Sequence, residues 1–283
     1  MRVTDLRIHP VKSLAPVPLR EVEIEPWGPA GDRRWMVVDA NGRMVSQRED
    51  PRLGQLTATL PEPGVLELAA DGLVLRVPEP GKAPGEAALV PVTLFGTGFE
   101  LVDAGEAAAS WLRKVLGREL RLVHQDRPER RPLEVVTSLA DGYPLLVTST
   151  ASLADLNRLI ALDHPDDPVR GAPVPITRFR SNVVVDGARP WAETGWRRIR
   201  VGEAEFEVVQ QCGRCVMTTL DPATGERRGP EPLRALGRHR KFGPTLGFGM
   251  QLAPVRTGTV RVGDEVVVLA EGPLPEPERP IAV

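Results

Sequence analysis

The residues best suited to chemistry in this chain are its two cysteines, Cys212 and Cys215, the only ones among 283 residues. They lie in the segment QQCGRCVMTTLD, separated by a glycine and an arginine. Two thiols at this spacing are typical of a zinc centre, of a redox-active pair, or of a thiolate ligand to a soft or high-valent metal. A single pair is too little for a structural disulfide framework, so we consider the roles that free thiols can have.

The residues around the motif favour some of these three kinds of site over others. A zinc site needs four ligands, yet the nearest histidine is His239 and no second pair at zinc spacing exists. A thioredoxin-like pair is expected where a strand feeds a helix, whereas the β-branched run VMTTL after Cys215 predicts a strand. For a thiolate ligand, Arg214 would favour the charged form of the thiol. A buried free cysteine without chemistry also fits the spacing, so the residues alone leave its role open.

The composition is that of a mainly β protein. The chain has 29 prolines, 27 glycines and few aromatic residues (6 Phe, 5 Trp and 1 Tyr), which favours short strands and tight turns. The net charge of -2 provides no basic surface for nucleic acid or an anionic membrane. No window approaches the roughly 18 apolar residues of a spanning helix, and the N-terminus lacks a signal-peptide core. We therefore expect a cytoplasmic protein with no membrane partner.

The elements that position the cysteines follow from periodicity. Alternation predicts successive strands between residues 3 and 102, with hairpin turns beginning at Asn41 and Asp71, and an exposed Pro/Gly-rich loop over 78–85. Helical spacing of apolar residues predicts a helix over 105–117, capped by Asp103.

A second helix is predicted over about 151–162, after a buried strand at 144–149. The fold class is therefore mainly β with a few helices (α+β), with a boundary between two domains near residue 125.

Five segments carry a resemblance to a known family: HPVKSL, GDRRWMVVD, ASLADLN, FRSNVVV and CGRCVMTTLDPATG. Each alone is a weak signal, but all five in this order are specific. Together they resemble the MOSC family, in particular the branch of the mitochondrial amidoxime reducing component and its bacterial relatives. The resemblance covers nearly the whole chain. It implies an N-terminal β-barrel-like domain (1–125), a MOSC β-barrel (126–271) packed against it, and a disordered tail (272–283).

The resemblance also implies a molybdenum-pterin cofactor held between the two domains. Cys215 matches the cysteine that ligates the metal in the reductases, so it is the expected metal ligand and catalytic residue. Lys12 and Arg33 match positions that contact the pterin or its phosphate, and Arg180 and Asn182 match two further cofactor contacts. The role of Cys212 stays open.

The chemistry of a phosphate agrees with this set. A buried dianion needs several cations around it, and arginine and lysine are the side chains that bind phosphate. A purely structural interpretation instead makes Lys12 a surface lysine and pairs Arg33 or Arg180 with Asp32 or Asp186. The joint match to one cofactor pattern favours the cofactor interpretation.

The chain departs from the reductases at one cofactor position. Where they carry small hydroxyl residues, this chain has Asp141, Gly142, Tyr143 and Pro144. We expect Gly142 and Tyr143 to contribute backbone N–H groups to the cofactor, without the side-chain contacts that hydroxyls would make.

The function implied is a molybdenum-cofactor oxidoreductase that reduces N-hydroxylated compounds such as amidoximes or hydroxylamines. An iron–sulfur cluster needs four cysteines, so electrons must come from a separate protein of the ferredoxin, flavodoxin or cytochrome type. The alternative is a non-catalytic cofactor carrier or sulfur-handling protein, in which the two thiols form persulfides. A third possibility is a barrel that has lost its cofactor.

Overall fold

A computed structural model describes residues 1–80, 88–227 and 229–273. Strands dominate it, which confirms the predicted fold class. The strands are Arg2–Ile8 (β1), Val17–Leu19 (β2), Glu21–Glu25 (β3), Gly28–Pro29 (β4), Trp35–Asp39 (β5), Thr57–Glu62 (β6), Val65–Ala70 (β7), Leu73–Pro78 (β8), Leu89–Leu94 (β9), Thr97–Asp103 (β10), Leu120–His124 (β11), Leu145–Ser149 (β12), Val183–Asp186 (β13), Trp196–Val201 (β14), Ala204–Gly213 (β15), Lys241–Phe242 (β16), Thr245–Arg256 (β17), Gly258–Arg261 (β18) and Val266–Glu271 (β19). The α-helices are Glu106–Leu116 (α1), Thr150–Asp163 (α2) and Leu233–His239 (α3).

A long sheet forms the C-terminal half, in the order β19-β14-β15-β17-β12-β13-β1-β2. Its strands pair antiparallel, except that β12 and β13 run parallel and are connected through α2, as a parallel pair requires. In β15, Phe206 and Val208 face the core while Glu205 and Glu207 face outward, so simple alternation creates the buried face. Residues of β3 and β18, which pair with each other, pack into the same core.

The N-terminal half is built around β5, which is buried on both faces. Trp35 and Val37 pack into one apolar cluster with α1, whereas Met36 and Val38 pack into a second one with β9 and β10. The first strands of the chain are shared between the halves, because β1 and β2 belong to the long sheet. The boundary near residue 125 stays a prediction.

The local predictions were largely right. The two longer helices and the hairpin at Asp71 are confirmed, and Gly117 ends α1 in the left-handed conformation. Asp103 does not cap α1: Gly105 is the N-cap residue, and the Asp103 carboxylate accepts its backbone N–H at 2.9 Å. Part of the predicted loop (residues 81–85) and most of the predicted tail (274–283) lie outside the described residues.

The helices in the described ranges are too short or too polar for any of them to cross a bilayer.

Candidate functional site

A cleft with about 820 Å³ of empty space, part of it open to solvent, lies where the two halves of the chain meet. Both cysteines line it, together with residues from distant parts of the sequence. From the N-terminal half come Lys12, Ser13, Arg33, Met44, Ser46, Arg48 and Phe95, and from the C-terminal half Ala140, Asp141, Tyr143, Leu145, Leu146, Arg178, Phe179, Arg180, Asn182, Cys212, Gly213, Arg214, Cys215, Met217, Thr218 and Gln251.

The cysteine motif sits where β15 ends. After Gly213 the chain turns into a 3-10 helix at Val216–Thr219, so the prediction that VMTTL forms a strand is wrong. The reason is local: the Thr218 and Thr219 hydroxyls donate back to the carbonyls of Cys215 and Val216, at 2.9 and 2.7 Å. Such side-chain bonds compete with strand pairing. The strand context that argued against a thioredoxin-like pair is therefore absent.

Arg214 holds the motif in place by hydrogen bonds to backbone carbonyls and is not the cation bonded to the Cys215 thiol. Its guanidinium donates to the carbonyl of Phe248 at 2.6 and 2.9 Å and to that of Phe179 at 3.0 Å. The cation bonded to Cys215 is instead Arg48, whose Nη2 lies 3.2 Å from Sγ. Arg48 comes from the N-terminal half, and sequence reasoning missed it because no local pattern links it to the cysteines.

Cys212 has a different environment from Cys215, although both thiols are free. Burial raises the pKa of the Cys212 thiol, the nearby charge of Arg214 opposes this rise, and Asp141 adds to it. Its Sγ lies 3.8 Å from the carbonyl of Gly213. The neutral thiol is thus the favoured form of Cys212 at neutral pH.

Lys12 is buried, so the interpretation of it as a surface lysine is wrong. Its Nζ donates to the carbonyl of Leu139 at 2.7 Å and forms an ion pair with Asp141. Burial lowers the pKa of Lys12 to about 8, against the opposing effect of the Asp141 carboxylate. Asp141 lies at the mouth with 63% of its side chain exposed, and its pKa is held low by Lys12 and the nearby arginines despite desolvation.

Arg33, Arg180 and Asn182 form one connected group. Arg33 donates to the Asn182 side-chain oxygen at 3.3 Å and to the Arg180 carbonyl at 3.2 Å. Asn182 also accepts the Leu146 N–H at 3.2 Å and donates to the Arg7 carbonyl at 3.1 Å, which fixes its orientation. Asn182 therefore links β12, through Leu146, to β1, through Arg7.

Arg180 keeps one nitrogen free for a ligand. Its Nη1 donates to the Leu14 carbonyl at 2.8 Å, whereas Nη2 is buried without a hydrogen-bond partner. Burial and the neighbouring Arg33 charge lower the pKa of Arg180 to about 9. A buried guanidinium nitrogen without a partner is costly, so the site suits an anionic acceptor.

The two structural pairings considered for these arginines have different outcomes. Arg33 does pair with the buried carboxylate of Asp32, and it lines the cleft at the same time. The pairing of Arg180 with Asp186 is not formed; the Asp186 carboxylate accepts from the Thr150 hydroxyl.

Gly142 and Tyr143 lie at one side of the cleft. Tyr143 lines it, whereas Gly142 does not and lies beside the Gln251 side chain instead. The loop that carries them is held by Arg131, which donates to the carbonyls of Ser138, Ala140 and Asp141.

The cleft fits an anionic cofactor with a thiolate-bound metal. Six cationic side chains line it (Lys12, Arg33, Arg48, Arg178, Arg180 and Arg214), and the carboxylates near them are Asp141 and the buried Asp32. The excess of positive charge and the unpartnered Arg180 nitrogen are complementary to a phosphate, and the partly exposed Cys215 thiol is complementary to a soft metal.

The sequence model described as the MOSC N-terminal beta barrel domain matches residues 1–119, and the one described as the MOSC domain matches residues 135–267. Mitochondrial amidoxime-reducing component 1 of Homo sapiens is 33% identical, covering 95% of this chain and 83% of the relative. This chain belongs to the MOSC family. The amidoxime reducing component 2 of Homo sapiens is 32% identical, with 93% and 82% covered. The Danio rerio molybdenum cofactor sulfurase is 32% identical over 94% of this chain, which spans 34% of that longer protein.

Within this MOSC protein, the cleft contains all the predicted site residues except Gly142. They come from five separate segments, and the sheet connections of β1, β12 and β13 bring them together.

Proposed function

We propose that this MOSC protein is a molybdenum-cofactor-dependent oxidoreductase that reduces N-hydroxylated compounds of the amidoxime or hydroxylamine type. The observation that carries the proposal is that Cys215 shares one cleft with a buried, unpartnered guanidinium nitrogen of Arg180. The similarity to proteins named amidoxime-reducing component supports the reaction class.

In this proposal Cys215 supplies one thiolate ligand to the metal. Lys12, Arg33, Arg180 and Asn182 hold the pterin phosphate, with backbone N–H groups of Gly142 and Tyr143 as further contacts. When bound, the molybdenum-pterin group supplies two-electron chemistry at the metal. Lys12 stays mainly protonated at neutral pH, because its pKa of about 8 lies above 7, and its Nζ therefore donates to an anionic group.

The net reaction converts an amidoxime, two electrons and two protons into an amidine and water. The N–O bond breaks, the substrate nitrogen is reduced, and the oxygen leaves as water. We propose a separate donor protein of the ferredoxin, flavodoxin or cytochrome type as the source of the electrons, and a cytoplasmic location. The domain division at residue 125 belongs to the same proposal.

The thiols provide the test. Wild type, Cys215→Ala and Cys212→Ala are produced in a host that makes the cofactor, and molybdenum and released pterin are measured in each. We expect Cys215→Ala to lose most of its molybdenum and its reduction of benzamidoxime with a chemically reduced viologen donor. Cys212→Ala is the matched control, because its thiol lies in the same segment and makes no bond to Arg48. Full molybdenum in Cys215→Ala contradicts the ligand assignment.

A second candidate is a cofactor carrier or sulfur-handling protein, which the similarity to the sulfurase favours. In that case both thiols take part by accepting a sulfane sulfur from the persulfide of a donor protein, whose own cysteine leaves as the free thiol. Tight cofactor binding without reduction of benzamidoxime by any artificial donor, together with loss of sulfur transfer in both cysteine variants, decides for the carrier.

A further inference from the structure

Phe95 occupies an unfavourable backbone position. It forms, with Gly96, the two-residue turn between β9 and β10, with φ values of 51° and 83°. Such turns favour Asn, Asp or Gly at the first position, and a bulky residue with positive φ is rare. The hairpin between β7 and β8 has nearly the same geometry at Asp71 and Gly72, with φ values of 50° and 76°, and there the residue is a common one for this turn.

The phenylalanine ring contributes to the cleft and not to the core. Phe95 lines the cleft with 51% of its surface exposed, and it is the one aromatic residue among the large exposed hydrophobics of the described part of the chain. The ring does not belong to the buried cluster that its neighbour Leu94 joins. A strained position with no packing function points to a role at the site.

Two cations lie close to this ring. Lys12 Nζ lies 5.2 Å and Arg48 Cζ 5.8 Å from the ring centroid, both within the range of a cation–π contact. Arg48 also reaches Cys215 Sγ at 3.2 Å. The ring, the guanidinium and the thiol therefore form a continuous wall from the mouth of the cleft to the expected metal ligand.

We propose that Phe95 and Arg48 form a substrate subsite that binds the planar, conjugated group of an aryl N-hydroxylated compound next to Cys215. This subsite rests on the proposed function above. An aromatic ring face stacks on a second planar π-system, while the guanidinium donates to the oxygen of the N–OH group. Aliphatic substrates of the same chemistry gain only the second contact.

The position of Phe95 favours substrate over pterin as its partner. The side chain of Arg33 is 12% exposed and Asn182 is buried, so these two proposed cofactor contacts lie deep in the cleft. Phe95 is half-exposed, with Lys12 as the proposed cofactor contact beside its ring, so the ring is accessible to an entering molecule.

The test uses the holoenzyme with Phe95→Asn, because asparagine is suited to the turn. We expect the melting temperature to rise by about 2 °C as strain is relieved. The ratio of KM for benzamidoxime to KM for acetamidoxime is expected to rise about fivefold, the size of one lost aromatic contact. Molybdenum and pterin contents stay at the wild-type level.

Asp71→Phe is the matched control, since it places phenylalanine in the same type of turn away from the cleft. It should lower the melting temperature and leave the KM ratio unchanged. An equal change of KM for both substrates in Phe95→Asn overturns the subsite. Loss of molybdenum or pterin in this variant also overturns it, because the ring would then support the cofactor.

A binding measurement separates this proposal from the reaction itself. Isothermal titration of benzamidoxime and acetamidoxime into wild type and Phe95→Asn needs no turnover. If wild type reduces neither compound but Phe95→Asn binds benzamidoxime about fivefold more weakly, the proposed reaction fails and the subsite stands. If wild type has no preference for benzamidoxime over acetamidoxime, the subsite is wrong whatever the enzyme reduces.

Discussion

Replacing Asp32 with asparagine should destabilise the protein more than replacing any exposed partner of an arginine. The Asp32 carboxylate is fully buried, accepts the His9 backbone N–H at 2.7 Å and pairs with Arg33. Burial alone would raise its pKa, but Arg33 and His9 lower it more, from 3.8 to about 2. The native state therefore favours the ionised carboxylate.

The size of this effect follows from linkage. A fall from 3.8 to about 2 corresponds to about 2 kcal/mol of stability at pH 7, at roughly 1.36 kcal/mol per pKa unit. Because the folded-state pKa is the lower one, this stability is fully present above pH 3.8 and is lost as pH falls towards 2. At pH 3 about half of it remains. Asparagine also leaves the Arg33 charge unpaired, so the total cost at pH 7 is about 3 kcal/mol.

The assay is urea unfolding of the cofactor-free wild type and Asp32→Asn at pH 7 and at pH 3. We expect the difference in free energy of unfolding to shrink by about 1 kcal/mol at the lower pH. The matched control is Asp126→Asn, which removes a partly exposed pair with Arg130 and should cost less than about 1 kcal/mol. A cost for Asp32→Asn that equals the control, or that does not change with pH, refutes the reasoning.

Two further predictions concern Lys12 and Gly249. Because burial lowers the folded-state pKa of Lys12 to about 8, the unfolded chain binds more protons between pH 8 and 10.5, and stability rises with pH there. In denaturation experiments on the cofactor-free proteins, the free energy of unfolding of wild type minus that of Lys12→Met should rise by about 2 to 3 kcal/mol from pH 7 to pH 10. A difference that stays constant with pH contradicts the buried charge. Gly249→Ala places a Cβ 2.7 Å from the Val147 carbonyl oxygen at φ +76°, so it should lower the free energy of unfolding by more than about 2 kcal/mol. Gly72→Ala, with the same φ and no atom within 4 Å, should cost about 1 kcal/mol, and equal costs would show that the steric contact is harmless.

The substitutions at Asp32, Lys12 and Phe95 probe different layers of the same cleft. The buried Asp32 pairs with Arg33, Lys12 provides a charge within the cleft, and Phe95 lies exposed at its mouth. A cofactor-binding defect is expected from the first two, whereas the third should change substrate preference alone. The pattern across the three variants therefore separates positioning of the cofactor from selection of the substrate.

Local sequence determined the secondary structure wherever short-range periodicity and turn chemistry decide it. The helices at Glu106–Leu116 and Thr150–Asp163 follow from apolar spacing, and the turn at Asp71 follows from its Asp-Gly pair. The strand predicted for VMTTL failed because β-branched residues favour strands only where a pairing partner exists, and here the threonine hydroxyls bond to the preceding turn.

For the candidate site too, some features follow from the sequence and others depend on the tertiary structure. The resemblance of five sequence motifs to a known family singled out Cys215 and the cationic residues Lys12, Arg33 and Arg180 as candidates, since residue type and motif order are local properties. Only the tertiary structure placed Arg48 on the thiol, turned Arg214 away from it and set Phe95 at the mouth. These contacts join residues 34 to 167 positions apart, and no periodicity in a single sequence specifies them.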